Sequence, residues 1–282
     1  MKKLLAVLLA LTMLFAFAAC GGEKSKTDAE QTTPENNVIR MATTTSVDNS
    51  GLLQYLLPHF KEATGYTVEY QAKGTGQAIK LAQDGNADLI LVHAKASEED
   101  FIAGGYGVER IPFMYNYFVV VGPANDPAGI ADCETAAEAF AKIAESGETF
   151  VSRGDDSGTH KAELKLWAEA PDAENDKWYV SAGSGMGATL TMASQMGGYC
   201  LTDKATYLSM ADELDLDIII EESEDMKNTY SVIACNPEKL VDINTAGASA
   251  FIEWITGEEA SKLIAEYGKE EYGEALFYLL EE

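Results

Sequence analysis

Between Val38 and Val92 the chain reads strand, helix, strand, helix, strand, and this order constrains the fold more than any other feature. Val38 to Thr43, Tyr66 to Gln71 and Asp88 to Val92 are short apolar runs. A helix with apolar positions Leu52, Leu53, Leu56, Leu57 and Phe60 lies between the first two, and a shorter one, Gln77 to Gln83, between the next two. Strands this continuously apolar are buried on both faces, which predicts parallel pairing under helices. Right-handed crossovers bring every strand-to-helix turn to one sheet edge, and ligands of open parallel sheets bind outside those carboxyl ends. The turns Thr43-Thr44-Thr45-Ser46 and Gly74-Thr75-Gly76 therefore face one cleft.

Ile111 to Val121 is a long extended run, broken by Gly122 to Pro127. A second series follows: helix Ala136 to Ser146, strand Thr149 to Ser152, helix Ser157 to Ala170, strand Trp178 to Val180, helix Ala188 to Met196, strand Gly198 to Asp203, helix Ala205 to Met210 and strand Asp217 to Ile220. Tyr230 to Cys235 returns as an apolar strand, helices Thr245 to Thr256 and Glu258 to Tyr267 follow, and Glu274 to Leu280 reads as a last amphipathic segment. The expected fold class is α/β, a two-lobed hinged clamshell with a mostly parallel sheet in each lobe. Lobe 1 is 38–121 plus 230–282, lobe 2 is 122–229, and the crossings near Val121 and Tyr230 are the hinge.

The stretch TFVSRGDDSGTHKAELKLW, 149–167, carries the most chemistry. A strand delivers Arg153 to a polar turn, and Ser157-Gly158-Thr159 opens a helix. The first amides of a helix have no intrahelical partner and the dipole leaves partial positive charge there, while a guanidinium offers a planar fork of donors. The alternative is an ordinary cap, Asp156 or Ser157, with Arg153 paired to Asp155 or Asp156. Similar turns recur at Thr43 to Ser46, at Gly74 to Gly76 and at Ser181 to Gly187, where glycines permit close approach and hydroxyls add donors. Four such turns spread over both lobes favour a shared anion site.

A formal net charge of −26 argues against nucleic acid and against anionic lipid surfaces. It does not exclude an anion in a cleft, because surface carboxylates are screened over about 10 Å while donors act at about 3 Å. Cys133, Cys200 and Cys235 form no CxxC, and Cys200 and Cys235 lie in apolar runs as core thiols. His59, His93 and His160 form no cluster, so no cation-binding metal site is expected. Ser157 and Ser184 stand outside a GxSxG pattern, and adjacent Asp155 and Asp156 cannot flank a bond from two sides. Gly183-x-Gly185-x-x-Ala188 is a loose dinucleotide fingerprint with no ribose-binding acid. No enzyme and no cofactor is expected. Tyr115, Tyr117, Phe118 and Tyr199 read as core and crossing residues whose hydroxyls, where present, could reach the cleft.

Lys2 and Lys3 precede an apolar run from Leu4 to Ala19, flanked like a secretory signal peptide (1–19) and short for a membrane span. Phe17-Ala18-Ala19-Cys20-Gly21 resembles a bacterial lipoprotein cleavage site with Cys20 as the acylated residue, although Phe17 departs from the usual Leu. Residues 20–37 are polar enough for a disordered tether. The expected location is extracytoplasmic, lipid-anchored to the cell membrane.

With Thr43-Thr44-Thr45-Ser46, Gly74-Thr75-Gly76-Gln77-Ala78, the Tyr115-to-Gly122 crossing, Ser152-Arg153-Gly154-Asp155-Asp156-Ser157-Gly158-Thr159-His160 and Leu201-Thr202-Asp203 followed by Ala205-Thr206-Tyr207-Leu208, the chain resembles the tungstate-binding lipoproteins of bacterial ABC transporters. These are relatives of molybdate-binding proteins within the type II solute-binding fold. The resemblance spans the mature chain, and the Ser-Arg-Gly-Asp run ending in Ser-Gly-Thr-His is its most specific part. It implies two α/β lobes around a buried tungstate or molybdate oxyanion, a membrane permease as partner, and a monomer. Carried over by position, the donors fall on Thr44, Ser46, Thr75, Arg153 and Thr159, with Ser157 and Gly158 adding backbone or hydroxyl donors. Thr45, Ser184 and Gly185 are weaker members. The residues themselves do not separate tungstate from molybdate, and receptors for phosphate or an organic anion, a sensing lipoprotein, or a hydrolase on a similar scaffold remain as alternatives.

Overall fold

The computed structural model describes residues 36–169, 171–172 and 175–280. The expected signal peptide, the lipidation position Cys20 and the tether as far as residue 35 lie outside the described residues, and the helix read as reaching Ala170 already ends at Leu166.

The βαβαβ reading is realised. β1 (Val38–Thr44) leads through α1 (Thr45–Asn49) and α2 (Leu52–Thr64) to β2 (Thr67–Lys73), then α3 (Thr75–Gln83) and β3 (Leu89–Val92). β1 pairs parallel with both β2 and β3. α4 (Lys95–Ala103), which the sequence reading passed over, follows; its buried residues are Glu98 and Phe101, so it carries almost no apolar stripe. β4 (Ile111–Gly122), α5 (Ala136–Ser146), β5 (Phe150–Ser152), α6 (Gly158–Leu166), β6 (Tyr179–Ser181), α7 (Met186–Met196), β7 (Cys200–Asp203), α8 (Lys204–Leu208), β8 (Asp217–Ile220) and β9 (Lys227–Ala234) come next. The chain continues through α9 (Thr245–Ile255), α10 (Glu258–Glu266), α11 (Lys269–Tyr272) and β10 (Tyr278–Leu279).

Among the described residues one sheet runs β10-β4-β9-β3-β1-β2, with β7 and β8 also pairing β4; β5 and β6 form a separate parallel pair. The expectation of mostly parallel sheets needs correction. β9 is antiparallel to β3 and β4, β10 is antiparallel to β4, and β7 and β8 are antiparallel to β4. For β4 and β9 the reason is direction: β4 runs from the β9 ladder towards β7 and β8, and β9 runs back to β3, so the two are opposed. The tail read as an amphipathic segment ends in β10, placing Tyr278 beside Tyr115.

β4 changes partners along its length. Ile111 to Tyr117 pair with β9, whereas Phe118 to Gly122 pair with β7 and β8. In that second part Phe118 and Val120 face a core with Phe140, Phe150 and Trp167, while Val119 and Val121 face another with Met186 and Leu190. In the first half, Ile39 and Met41 of β1 pack against α2, α9 and α10, and Ala42, Ile90 and Val92 pack on the side of α3 and α4. Both faces of each half are thus apolar, as the sequence of the strands required. Cys200 and Cys235 are free, buried thiols within these cores.

Candidate functional site

The carboxyl end of β1 delivers Thr44, which caps α1 by accepting from the Val47 amide (3.3 Å). Thr45 and the buried Ser46 form the first turn of that helix. Thr75, fully buried, opens α3 after Gly74. Across from both, β5 ends in Ser152 and passes Arg153, 2% exposed, into the turn before α6. Gly154 has φ of 57°, and a methyl group there would lie 1.8 Å from Ser181 Oγ, so the turn requires glycine. Ser157 Oγ caps α6 by accepting from the His160 amide (3.2 Å). That leaves the Gly158 and Thr159 amides at the helix opening without intrahelical partners.

The two sides meet. Arg153 Nη2 donates to Thr45 Oγ1 at 3.3 Å. A methyl group added at Gly158 would lie 3.1 Å from Thr75 Oγ1 and 2.7 Å from His93 Cε1. One added at Gly76 would lie 3.3 Å from Asp156 Oδ2. Thr44, Thr45, Thr75, Arg153, Gly158 and Thr159 therefore share one locality, with Ser46 and Ser157 at its edge.

Arg153 has the partner that the capping alternative named. Its Nη2 also donates to Asp155 Oδ2 at 2.6 Å, while Asp155 Oδ1 accepts from the Ser157 amide at 3.2 Å. Yet Nε and Nη1 of the same guanidinium, with Thr75 Oγ1 and Thr159 Oγ1, are buried and have no hydrogen-bond partner among the described residues. Each such group costs about 1–3 kcal/mol of lost hydration, and more where charged. Folded proteins pair nearly all buried polar groups, so four unpaired atoms on adjoining turns have an explanation other than packing.

Ser184 and Gly185 do not join them. The Ser184 amide donates to the Arg153 carbonyl (3.3 Å) and its hydroxyl to the Ala182 carbonyl (3.1 Å), so this turn braces the arginine from behind; Gly185 is exposed. Tyr199 is fully buried, donating to Asp126 and accepting from the Ala128 amide, away from the site. Tyr115 and Tyr117 pack against Tyr278.

Sequence reasoning missed three residues. His93 follows β3 directly, and its ring bridges Thr44 Oγ1 (3.0 Å) and Asn228 Oδ1 (2.9 Å). Burial, with the Arg153 charge adding to it, pushes its pKa down to about 4. Asn228 is in turn fixed by donating to Asn116 Oδ1 (2.8 Å) and the Tyr230 hydroxyl (2.9 Å). Glu163, on the buried face of α6, accepts from Ser152, Tyr179 and Trp167, and burial raises its pKa. The rule that ligands gather at carboxyl strand ends could have found His93; a lone Glu in a helix with Leu164 and Leu166 carries no such signal.

Fold and site define the class of the protein. A family model described as a PBP superfamily domain matches residues 27–259, and the chain belongs to that superfamily. It is 49% identical to the tungstate-binding protein TupA of Peptoclostridium acidaminophilum over 280 residues, 98% of each chain. It is also similar to two solved structures. The tungstate-binding protein TupA from Desulfovibrio alaskensis G20 has a TM-score of 0.76 and 41% identity, covering 87% of this chain and 99% of that one. The tungstate ABC transporter structure from Geobacter sulfurreducens has a TM-score of 0.75 and 45% identity, covering 82% and 98%. The α/β type II binding-protein fold expected from the sequence is the fold found, with the antiparallel strands described above.

Proposed function

We propose that the chain is an extracytoplasmic receptor that captures a tetrahedral oxyanion, tungstate first, between its lobes and delivers it to an ABC permease. The observation that carries this is the set of unpaired buried donors: Thr75 Oγ1, Thr159 Oγ1 and two guanidinium nitrogens of Arg153. Such donors suit an ion that replaces their water, and they perform no bond chemistry. The relatives, whose names record tungstate binding and an ABC transporter, support the same reading and a non-enzymatic role.

In this proposal Thr75, Arg153 and Thr159 hold the anion with Thr45, Ser46, Ser157 and Gly158, and Thr44 acts on the rim. The lobes are 38–121 plus 230–282 and 122–229, and the exchange of partners along β4 supports a hinge there. A dianion held by one lobe stabilises the closed form by gaining donors from the other. Cys20 is proposed as the lipid anchor of a monomeric receptor, on the strength of its sequence setting; among the described residues no helix is long and apolar enough to cross a membrane.

Isothermal titration with tungstate, molybdate, sulfate and phosphate tests the proposal. Tight binding of tungstate or molybdate with weak phosphate binding is expected, because a proton on hydrogenphosphate needs an acceptor and the charged group of the site with unpaired atoms, the Arg153 guanidinium, can only donate. Preference for phosphate, or binding of none of the four, overturns it.

A further inference from the structure

The chain carries 20 Lys and Arg against 46 Asp and Glu, so a concave surface where cations prevail stands against the background. One cavity of about 440 Å³ does so. Lys95, Arg110, Lys161, Lys165 and Lys227 line it, against one lining carboxylate, Asp225. That carboxylate is engaged elsewhere, its oxygens accepting from the Ala136 and Ala137 amides at the start of α5. Arg110 is locked to Glu98 at 2.5 Å, and Lys95 and Lys161 lie 3.7 and 3.5 Å from Glu99 and Asp156. Lys165 and Lys227 have no ion pair among the described residues, and Lys227 is held over the Tyr115 ring, 4.1 Å from its centre.

The inner wall of this cavity is decisive. It includes His93 and Gly158, the residues packed against Thr44 and Thr75. The lysine rim and the buried donors are therefore two sides of one wall. A solvated lysine face serving only solubility has no reason to end on that wall, nor to be concave.

We infer that this cavity is a vestibule, a weak oxyanion subsite that gathers the ligand and passes it to the buried site. The inference rests on the oxyanion reading given above. Charges on such a rim act on encounter, which steering accelerates by about 10- to 1,000-fold and salt suppresses, and they leave escape from the buried site untouched.

The test is stopped-flow intrinsic fluorescence with tungstate on the full mature chain at low and high ionic strength. The double variant Lys165→Gln/Lys227→Gln is compared with Lys61→Gln/Lys269→Gln, which removes the same charge from α2 and α11. The vestibule variant is expected to associate about threefold to tenfold more slowly at low salt, with the gap closing at high salt and dissociation unchanged. The control pair is expected to match the wild type. Equal association rates for both variants at low salt, or an effect confined to dissociation, overturn the vestibule while leaving the receptor intact. A wild-type chain that binds no oxyanion overturns both.

Discussion

His93 Nε2 stands 3.0 Å from Thr44 Oγ1, and this contact decides where the threonine proton points. The other ring nitrogen faces Asn228 Oδ1 at 2.9 Å, an oxygen that can only accept, so Nδ1 carries the hydrogen of the neutral ring. Nε2 must then accept from Thr44, whose oxygen already accepts from the Val47 amide. With this tautomer Thr44 donates to His93, and in the proposed site donation falls to Thr75, Thr159 and Arg153.

The same ring makes stability depend on pH. Unfolded, His93 takes a proton below about pH 6.5; folded, burial holds its pKa to about 4. Its contribution is complete above pH 6.5 and is lost as the pH falls towards 4, a change of about 3 kcal/mol. Buried Glu98, Glu163 and Asp203, whose pKa values burial raises, act in the opposite sense, so the quantity to measure is the difference between wild type and His93→Gln. Denaturant unfolding at pH 7.5 and 4.5 should show the wild type losing about 2–3 kcal/mol more than the variant. A pH-independent difference would contradict a neutral buried ring.

Arg153→Ala should lower tungstate affinity by about 3–5 kcal/mol, since in the proposed site it removes the charge that faces a dehydrated dianion. Calorimetric titration measures this directly. A loss below about 1 kcal/mol would assign the arginine to its ion pair with Asp155 and to structure alone.

Thr75→Val and Thr159→Val separate binding from stability. Each removes a buried hydroxyl without a partner, so the ligand-free protein should keep its stability or gain about 1 kcal/mol. Each should also weaken tungstate binding about tenfold or more, because a hydrogen bond to a charged group is worth about 1.5–3 kcal/mol. Loss of stability in either variant would mean that the hydroxyl is paired in the ligand-free protein.

Gly158→Ala puts a methyl group 2.7 Å from His93 Cε1 and 3.1 Å from Thr75 Oγ1. Overpacking of this kind costs about 1–3 kcal/mol. The affinity should fall more than the thermal midpoint implies, because the displaced atoms line the proposed site. Unchanged titration curves would place the ligand elsewhere.

Much of this was legible before any coordinates. The βαβαβ order fixed where Thr44 and Thr75 emerge, and α5 has the bounds read from the sequence, Ala136 to Ser146. The turn at Arg153 was legible because residue type and position agreed. What escaped depends on distant partners. α4 buries Glu98, a residue whose place is set by Arg110 twelve positions on and not by periodicity. α6 likewise turns Glu163 inward and leaves Leu164 40% exposed, since Ser152 and Tyr179 satisfy the carboxylate. His93 and Asn228 lie 135 residues apart, and nothing local announces their contact. The vestibule is a property of summed charge in space, which a net charge of −26 conceals.

The partner exchange between Tyr117 and Phe118 occurs within one unbroken strand, with no loop to take up slack. If the halves separate, backbone ladders must flex there, so the resistance is elastic and grows with angle. As the proposed hinge, such a joint would behave as a leaf spring, limiting how far the halves part and returning them to register. Loading such a receptor then demands little reorganisation, and stiffening the β4–β9 ladder would tune the opening angle without touching any residue that meets the ion.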